Sequence, residues 1–169
     1  RILTVAAAQL GPIQRADSRK QVVDRMIALL GKAKAQGATL VVFPELALTT
    51  FFPRWYHEDR ADADQWFERS MPGPETQALF DKARELGLAM NFGYAELTPD
   101  GRHFNTSILV DREGRIVGRY RKVHLPGHDG GAHGLGQRGE LEHRVGVHRR
   151  VAIHPAHAEA ARIQRLAPV

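Results

Sequence analysis

The stretch from Thr39 to Trp55 decides the fold, and it reads TLVVFPELALTTFFPRW. Its apolar run, Leu40 to Phe43, is typical of a strand that is covered on both faces. The run ends at Pro44 and delivers a carboxylate, Glu45, at its carboxyl end. Because open α/β sheets place their sites at the carboxyl ends of their strands, we expect Glu45 to lie at a functional site.

The residues before this stretch complete a β-α-β unit. Ile2 to Gln9 is apolar and predicts a buried strand, and Asp17 or Ser18 can cap a helix that runs to about Gln36. Gly37 then ends this helix. A β-α-β unit normally builds a parallel pair of strands with a right-handed crossover.

The residues after the stretch predict two helices and three strands, which makes the whole a mixed α/β sheet. Pro74 fits the first turn of the second helix, and Asn91 and Gly93 interrupt the first strand. The last two strands form a hairpin around a turn at 112–114. The elements are, in order, helices at Asp59–Glu68 and Glu75–Leu86, then strands at Leu88–Leu97, Phe104–Asp111 and Arg115–Val123.

A second ionisable group, Lys122, ends the last of these strands in the stretch RIVGRYRKVHLPGH, Arg115 to His128. We expect it beside Glu45, where it would stabilise a developing oxyanion. Apolar neighbours such as Phe43 and Phe52 would desolvate Glu45 and raise its pKa toward the range of a general base. Spacing alone favours plainer interpretations, a hydrated Glu and a solvated run of charges on an edge strand.

Other polar residues carry weaker signals. Asn105 is interpreted as a hydrogen-bonding group within the sheet or a turn, and His124 either orients a neighbour or caps its strand. Ser107 lacks the G-x-S-x-G setting of a serine hydrolase. Nine His residues are present, but those after residue 128 have no regular ligand spacing, so we predict no metal site.

The composition excludes several classes of function. The 169 residues include no Cys, which excludes disulfides, thiolate metal sites and a thiol nucleophile from this sequence. No apolar run approaches the roughly 18–20 residues of a membrane span, and the first residues do not form a signal peptide, so we predict a cytoplasmic protein without membrane contact. The net charge of +5 is scattered, which favours a solvated basic surface over nucleic-acid binding.

The sequence changes character after His128. Residues 129–169 contain no Phe, Tyr, Trp, Lys or Asn and are rich in Gly, Ala, Arg and His. Two explanations are open: a flexible basic tail, or a GC-rich gene translated out of frame from about Asp129, which we favour. Ala152 to Leu166 is compatible with a helix, although its apolar periodicity is weak.

Several pieces, in this order, resemble the nitrilase superfamily of carbon–nitrogen hydrolases. The resemblance covers residues 1–128, and LALTTFFPRW and RKVHLPGH resemble in particular the branch that hydrolyses N-carbamoyl-D-amino acids. The pieces are Val5-Ala6-Ala7-Ala8-Gln9, Val42-Phe43-Pro44-Glu45, Met71-Pro72-Gly73-Pro74, Gly93-Tyr94-Ala95-Glu96, Phe104-Asn105-Thr106-Ser107 and the run from Gly118 to Leu125.

The resemblance implies part of an αββα sandwich and a Glu-Lys-Cys triad. Glu45 matches the family's general base and Lys122 its oxyanion-stabilising lysine, while the nucleophile is a Cys on a later strand. The implied substrate is a small N-carbamoyl amino acid or amide, and the implied assembly of the intact protein is a homo-oligomer. The triad needs no metal or nucleotide, and no phosphate-binding glycine loop is present, so we predict no cofactor.

The sequence departs from the family at its nucleophile. It has no Cys, and residues 129–169 show no counterpart of the family's second half. We therefore expect a truncated or frameshifted hydrolase, inactive as given and marginally stable, since its sheet would expose apolar surface. The alternative is a non-catalytic scaffold or binding protein that uses its basic tail.

Overall fold

The protein folds around one mixed sheet with helices packed on it, as the sequence predicts. The computed structural model describes residues 3–55 and 60–123 and the strand at 163–165. The strands are β1 (Val5–Ala8), β2 (Leu40–Val42), β3 (Ala89–Leu97), β4 (His103–Val110), β5 (Ile116–Arg121) and β6 (Ile163–Arg165); the helices are α1 (Arg19–Ala35), α2 (Arg60–Asp64) and α3 (Gln77–Leu86), with a 3-10 turn at Phe52–Arg54.

The sheet joins a parallel unit to an antiparallel meander. Its strand order is β5-β4-β3-β2-β1-β6. β1, β2 and β3 are parallel neighbours, whereas β3, β4 and β5 run antiparallel and follow each other along the chain. The predicted parallel pair of the β-α-β unit is therefore confirmed, and β5 lies at one edge of the sheet.

Helix α1 begins and ends where its sequence dictates. The Ser18 side chain accepts from the Gln21 backbone N–H, and the Gln21 side chain accepts from the Ser18 backbone N–H, which is a capping box. Gly37, with φ of 78°, follows the helix. Its apolar side, which includes Met26 and Leu30, is fully buried against the sheet and α3.

The two faces of the sheet differ. On the face that α1 and α3 cover, Met90, Phe92 and Ile108 are fully buried in the core. On the opposite face, within the described residues, Leu109 is 40% exposed and Tyr120 59% exposed. Side chains alternate between the two faces of a strand, so Asn91, Ser107 and their neighbours belong to this open face.

Four details differ from the sequence predictions. β3 runs unbroken through Asn91 and Gly93. α3 begins at Gln77 after its N-cap Thr76, so Pro74 lies in the preceding turn, outside the helix. α2 covers Arg60–Asp64 only. Residues 163–165, in a stretch that the sequence made compatible with a helix, instead pair with β1 as a strand, because edge pairing along β1 satisfies their backbone.

Two further observations concern the described residues only. No helix among them is long and apolar enough to cross a membrane. In the same part of the chain, no three His, Cys, Asp or Glu side chains come together as metal ligands would. His124 and the His residues of the tail lie outside the described residues.

Candidate active site

The ends of β2 and β5 bring Glu45 and Lys122 together. Lys122 Nζ donates to Glu45 Oε1 at 2.8 Å, across 77 positions of sequence. The expectation that these two groups lie side by side is thus confirmed by the geometry. Lys122 is 34% exposed and Glu45 48% exposed, so the pair lies at the surface of a depression and not in the core.

The backbone around Glu45 is fixed against β3. The Phe43 N–H donates to Asn91 O at 2.8 Å, and the Ala47 N–H donates to Gly93 O at 2.8 Å. Between these bonds, Leu46 has a φ of 49°, in the left-handed region that costs energy for a residue with a side chain. Burial of the Leu46 side chain beside Phe52 holds this conformation in place.

Asn105 is the third member of the group. Its Nδ2 donates to Glu45 Oε1 at 2.6 Å, so Asn105 and Lys122 converge on the same oxygen. The Lys122 backbone N–H donates to Asn105 O at 2.8 Å, which extends the β4–β5 ladder by one bond and sets the two side chains beside each other. Within the described residues Glu45 Oε2 accepts no hydrogen bond, so this oxygen is available to a substrate or a water.

The electrostatics of Glu45 correct one prediction. Its hydrogen bond from Lys122 lowers the pKa of the Glu45 carboxyl, and the bond from Asn105 adds to this, while partial burial acts in the opposite direction. We expected apolar neighbours to raise this pKa. Burial does act in that direction, but the hydrogen bond from Lys122 outweighs it, so the net shift is downward.

The pair opens onto a depression of about 380 Å³ on the open face of the sheet. Asn91 and Ser107 contribute to its lining next to Glu45, and Tyr120 contributes from the edge strand. Asn91 Nδ2 donates to Ser107 Oγ at 3.2 Å and to Ile108 O at 2.8 Å. Among the described residues, the lining of the depression therefore combines one carboxylate, one cation and several neutral hydrogen-bonding groups.

Directly across the sheet, a buried carboxylate binds the neighbouring arginines of β5. Glu96 accepts from Arg121 Nε and Nη2, both at 2.9 Å, and from Arg119 Nη1 at 3.2 Å. Thr106 Oγ1 donates to the same carboxylate at 2.6 Å. Burial raises the pKa of Glu96, but these donors outweigh it, so that the pKa lies below its usual value.

Sequence reasoning missed the roles of Asn105 and Glu96. Both lie within pieces that carry the family resemblance, but we interpreted Asn105 only as a hydrogen-bonding group within the sheet or a turn and assigned Glu96 no role. The missing information is the strand register: Ala95 pairs with Asn105, and Thr106 pairs with Arg121. The run Arg119-Arg121-Lys122 is accordingly an array of paired cations and not a solvated charge run.

Comparison with known proteins identifies the family to which this chain belongs. The sequence profile described as "Carbon-nitrogen hydrolase" matches residues 4–149, past the point where the resemblance that we noted ends, and the chain belongs to this family. The chain is 31% identical over 133 residues to Nitrilase 2 of an unknown prokaryotic organism and 33% identical over 115 residues to a formamidase of Bacillus cereus.

The alignments cover part of each relative. They cover 72% of this chain and 40% of the nitrilase, and 64% of this chain and 32% of the formamidase, so the chain spans roughly a third to two fifths of these relatives. A carbon–nitrogen hydrolase from Helicobacter pylori G27 superposes with a TM-score of 0.61 at 24% identity, covering 79% of this chain and 43% of that one. An N-terminal amidase superposes with a TM-score of 0.58 at 23% identity, over 73% and 28%. The two likenesses show the shared fold.

Proposed function

We propose that this chain forms the Glu-Lys part of a carbon–nitrogen hydrolase site whose substrates are N-carbamoyl-D-amino acids. The observation that carries the proposal is the convergence of Lys122 Nζ and Asn105 Nδ2 on Oε1 of Glu45, while Oε2 accepts no hydrogen bond from the described residues and lies beside a depression. The substrate class is supported by the resemblance of two stretches to the branch that acts on these compounds.

In the proposed site, each of the three residues has one task. Glu45 is the general base, and its lowered pKa keeps it ionised at neutral pH, able to accept a proton at Oε2. Lys122 places a positive charge where an oxyanion develops. Asn105 holds the carboxylate in one orientation, because its amide donates to the oxygen that also binds Lys122.

The proposed reaction needs a nucleophile that this sequence does not contain, since it has no Cys. A thiolate supplied from outside these residues attacks the ureido carbonyl carbon after Glu45 takes its proton. The bond to the terminal nitrogen breaks, and ammonia leaves with that proton. Water, deprotonated by Glu45, then displaces the sulfur, which takes that proton back from Glu45, and the released carbamic acid loses carbon dioxide to give the D-amino acid.

The 169-residue chain by itself is therefore expected not to turn over this substrate, because a nucleophile acts as a unit with its base. The lack of Cys also favours a second candidate, a non-catalytic protein that binds an anionic partner through residues 129–169. That candidate predicts partner binding that weakens as salt is added. The cytoplasmic location and the homo-oligomeric assembly stay predictions from the sequence.

The test begins with the encoding DNA, read from the codon of Lys122 onward and translated in all three forward frames. If a segment with a Cys at a strand end is encoded, the protein that includes it is assayed for ammonia release from N-carbamoyl-D-amino acids, formamide and an aliphatic nitrile. We expect the N-carbamoyl compounds to be preferred. Preference for formamide or the nitrile would refute the substrate class, and a folded protein that releases ammonia from none would refute the hydrolase.

A further inference from the structure

The cluster around Glu96 lies outside the depression, yet it is bonded to β5, the strand that Lys122 directly follows. The Glu96 side chain is 9% exposed and belongs to β3, whereas Arg119 and Arg121 belong to β5, two strands away. These ion pairs therefore reach over β4. Thr106, on β4 and fully buried, donates to the same carboxylate and fills the gap between them.

Arg121 is the better held of the two arginines. Its guanidinium makes two parallel bonds to the Glu96 carboxylate, the bidentate arrangement that fixes both distance and orientation. Its charged group also lies 4.1 Å from the centre of the Phe104 ring, on the neighbouring strand. These contacts hold the Arg121 guanidinium on the helix-covered face.

The carboxyl end of β5 has few other restraints within the described residues. β5 is the last strand on its side of the sheet within the described residues, so its backbone is hydrogen-bonded to β4 alone. Beyond Arg121, the ladder continues by one bond, from the Lys122 N–H to Asn105 O. The Lys122 side chain is long and flexible, so its position depends on where the backbone places its Cα.

Successive residues of a strand point to opposite faces, so Arg121 and Lys122 share a backbone but face different sides of the sheet. Fixing Arg121 on one side fixes the Cα of Lys122 on the other. We propose that Glu96 is a positioning residue, which, by binding Arg121, holds Lys122 against Glu45. The inference rests on the proposed function for its catalytic meaning, while its structural claim can be tested without turnover.

The test measures the pKa of Glu45 in the full 169-residue chain by NMR titration of its carboxyl carbon, in the wild type and in Glu96→Gln. If Glu96 positions Lys122, its loss loosens the bond from Lys122 and the pKa of Glu45 rises. Direct electrostatics predicts the reverse, because removing a negative charge favours ionisation of the remaining carboxyl. A purely structural role lowers thermal stability and leaves the pKa of Glu45 where it is.

Arg121→Lys is the second variant, and it carries the test if Glu96→Gln does not fold. It keeps the charge and removes the two parallel bonds, so direct electrostatics predicts no change, whereas positioning predicts a smaller rise than in Glu96→Gln. Glu113→Gln is the matched control: Glu113 pairs with Arg115 at 3.2 Å in the turn of the same hairpin, far from Lys122.

The expected result is a raised pKa of Glu45 in every folded variant of Glu96 and Arg121, and none in Glu113→Gln. A pKa that is unchanged or lowered in the folded variants overturns the proposal. Because the measurement needs no substrate, a failure of the hydrolase assay leaves this result standing. Conversely, an unchanged or lowered pKa of Glu45 in the variants would overturn the positioning role of Glu96 but not the proposed reaction.

Discussion

Gly93 lies directly beneath the backbone of Glu45. A Cβ placed on Gly93 would be 3.1 Å from the Glu45 Cα and 3.0 Å from the Leu46 nitrogen. Both neighbours are backbone atoms, which cannot rotate away as a side chain can. The absence of a side chain at position 93 therefore allows the backbone of Glu45 and Leu46 to pack directly against β3.

Gly93→Ala is expected to displace this loop and to destabilise the protein. Overpacking of this kind costs about 1–3 kcal/mol, and chemical denaturation measures it as a lower midpoint. The displacement also moves Glu45 away from Lys122, so the pKa of Glu45 rises. The control is Gly31→Ala in α1, where no atom lies within 4 Å of the added methyl group. There the same change should stabilise by roughly 0.5–1 kcal/mol, and equal effects at the two sites would contradict this account.

Lys122→Met is expected to raise the pKa of Glu45, because it removes the largest cause of the lowering while keeping the length of the side chain. NMR titration of the carboxyl carbon measures the change. In a protein that carries the nucleophile, loss of the cation should reduce kcat by about 100- to 1,000-fold. Lys82→Met is the matched control, since Lys82 pairs with Glu85 on α3. A Glu45 pKa that does not respond to Lys122→Met would show that the two groups are not paired in solution.

Asn105→Leu is expected to raise the pKa of Glu45 by a smaller amount than Lys122→Met does. Leucine has a similar volume but cannot donate, so Glu45 loses a neutral hydrogen bond and keeps its cation. The prediction is tested by comparing the pKa shift of Glu45 in Asn105→Leu with the shift in Lys122→Met. If Asn105→Leu shifts the pKa as far as Lys122→Met does, the charge of Lys122 is not the main stabiliser of the carboxylate.

Glu96→Gln should change how stability depends on pH. The pKa of Glu96 is lowered in the folded protein, while in the unfolded chain it is about 4.3. Such a group contributes stability that is present above the unfolded-state pKa and is lost as the pH falls through the folded-state pKa. The advantage of the wild type over Glu96→Gln, measured by urea denaturation from pH 7 to pH 3, should therefore shrink in acid.

Glu68→Gln should change the dependence of stability on pH in the opposite direction to Glu96→Gln. Burial raises the pKa of Glu68, although Arg19 lies 2.5 Å away and opposes the shift. A carboxyl with a raised pKa contributes stability that is fully present below its unfolded-state pKa and is lost as the pH rises through its folded-state pKa. The advantage of the wild type over Glu68→Gln should be largest in acid. Parallel pH profiles for the two variants would contradict both assignments.

The features that depend on a local sequence pattern could be predicted from the sequence. Apolar runs and the Ser18 cap predicted β1, α1 and β2, and two strand ends predicted that Glu45 meets Lys122. What it missed depends on pairing between strands. Asn105 becomes a ligand of Glu45 only because it lies opposite Lys122 in the hairpin, and no periodicity within one strand reveals a register.

Two other errors have the same origin. Gly93 was interpreted as an interruption of its strand, but close approach of a neighbouring backbone selects glycine while the strand continues. The sign of the shift in the pKa of Glu45 was wrong because the hydrogen bond from Lys122, 77 positions away in sequence, outweighs the effect of partial burial. Interactions between distant segments decided both points.

The parallel unit and the antiparallel meander share β3, and this arrangement affects the order in which contacts form as the chain folds. β3, β4 and β5 are joined by short turns, so their contacts form between near neighbours, whereas Glu45 meets its cation across 77 positions. Long-range closures are the slow part of folding. During synthesis, Glu45 leaves the ribosome before Asn105 and Lys122, the two residues that donate to it in the folded protein. The hydrogen bonds of Glu45 can therefore form only after the meander has been synthesised and has packed beside β2.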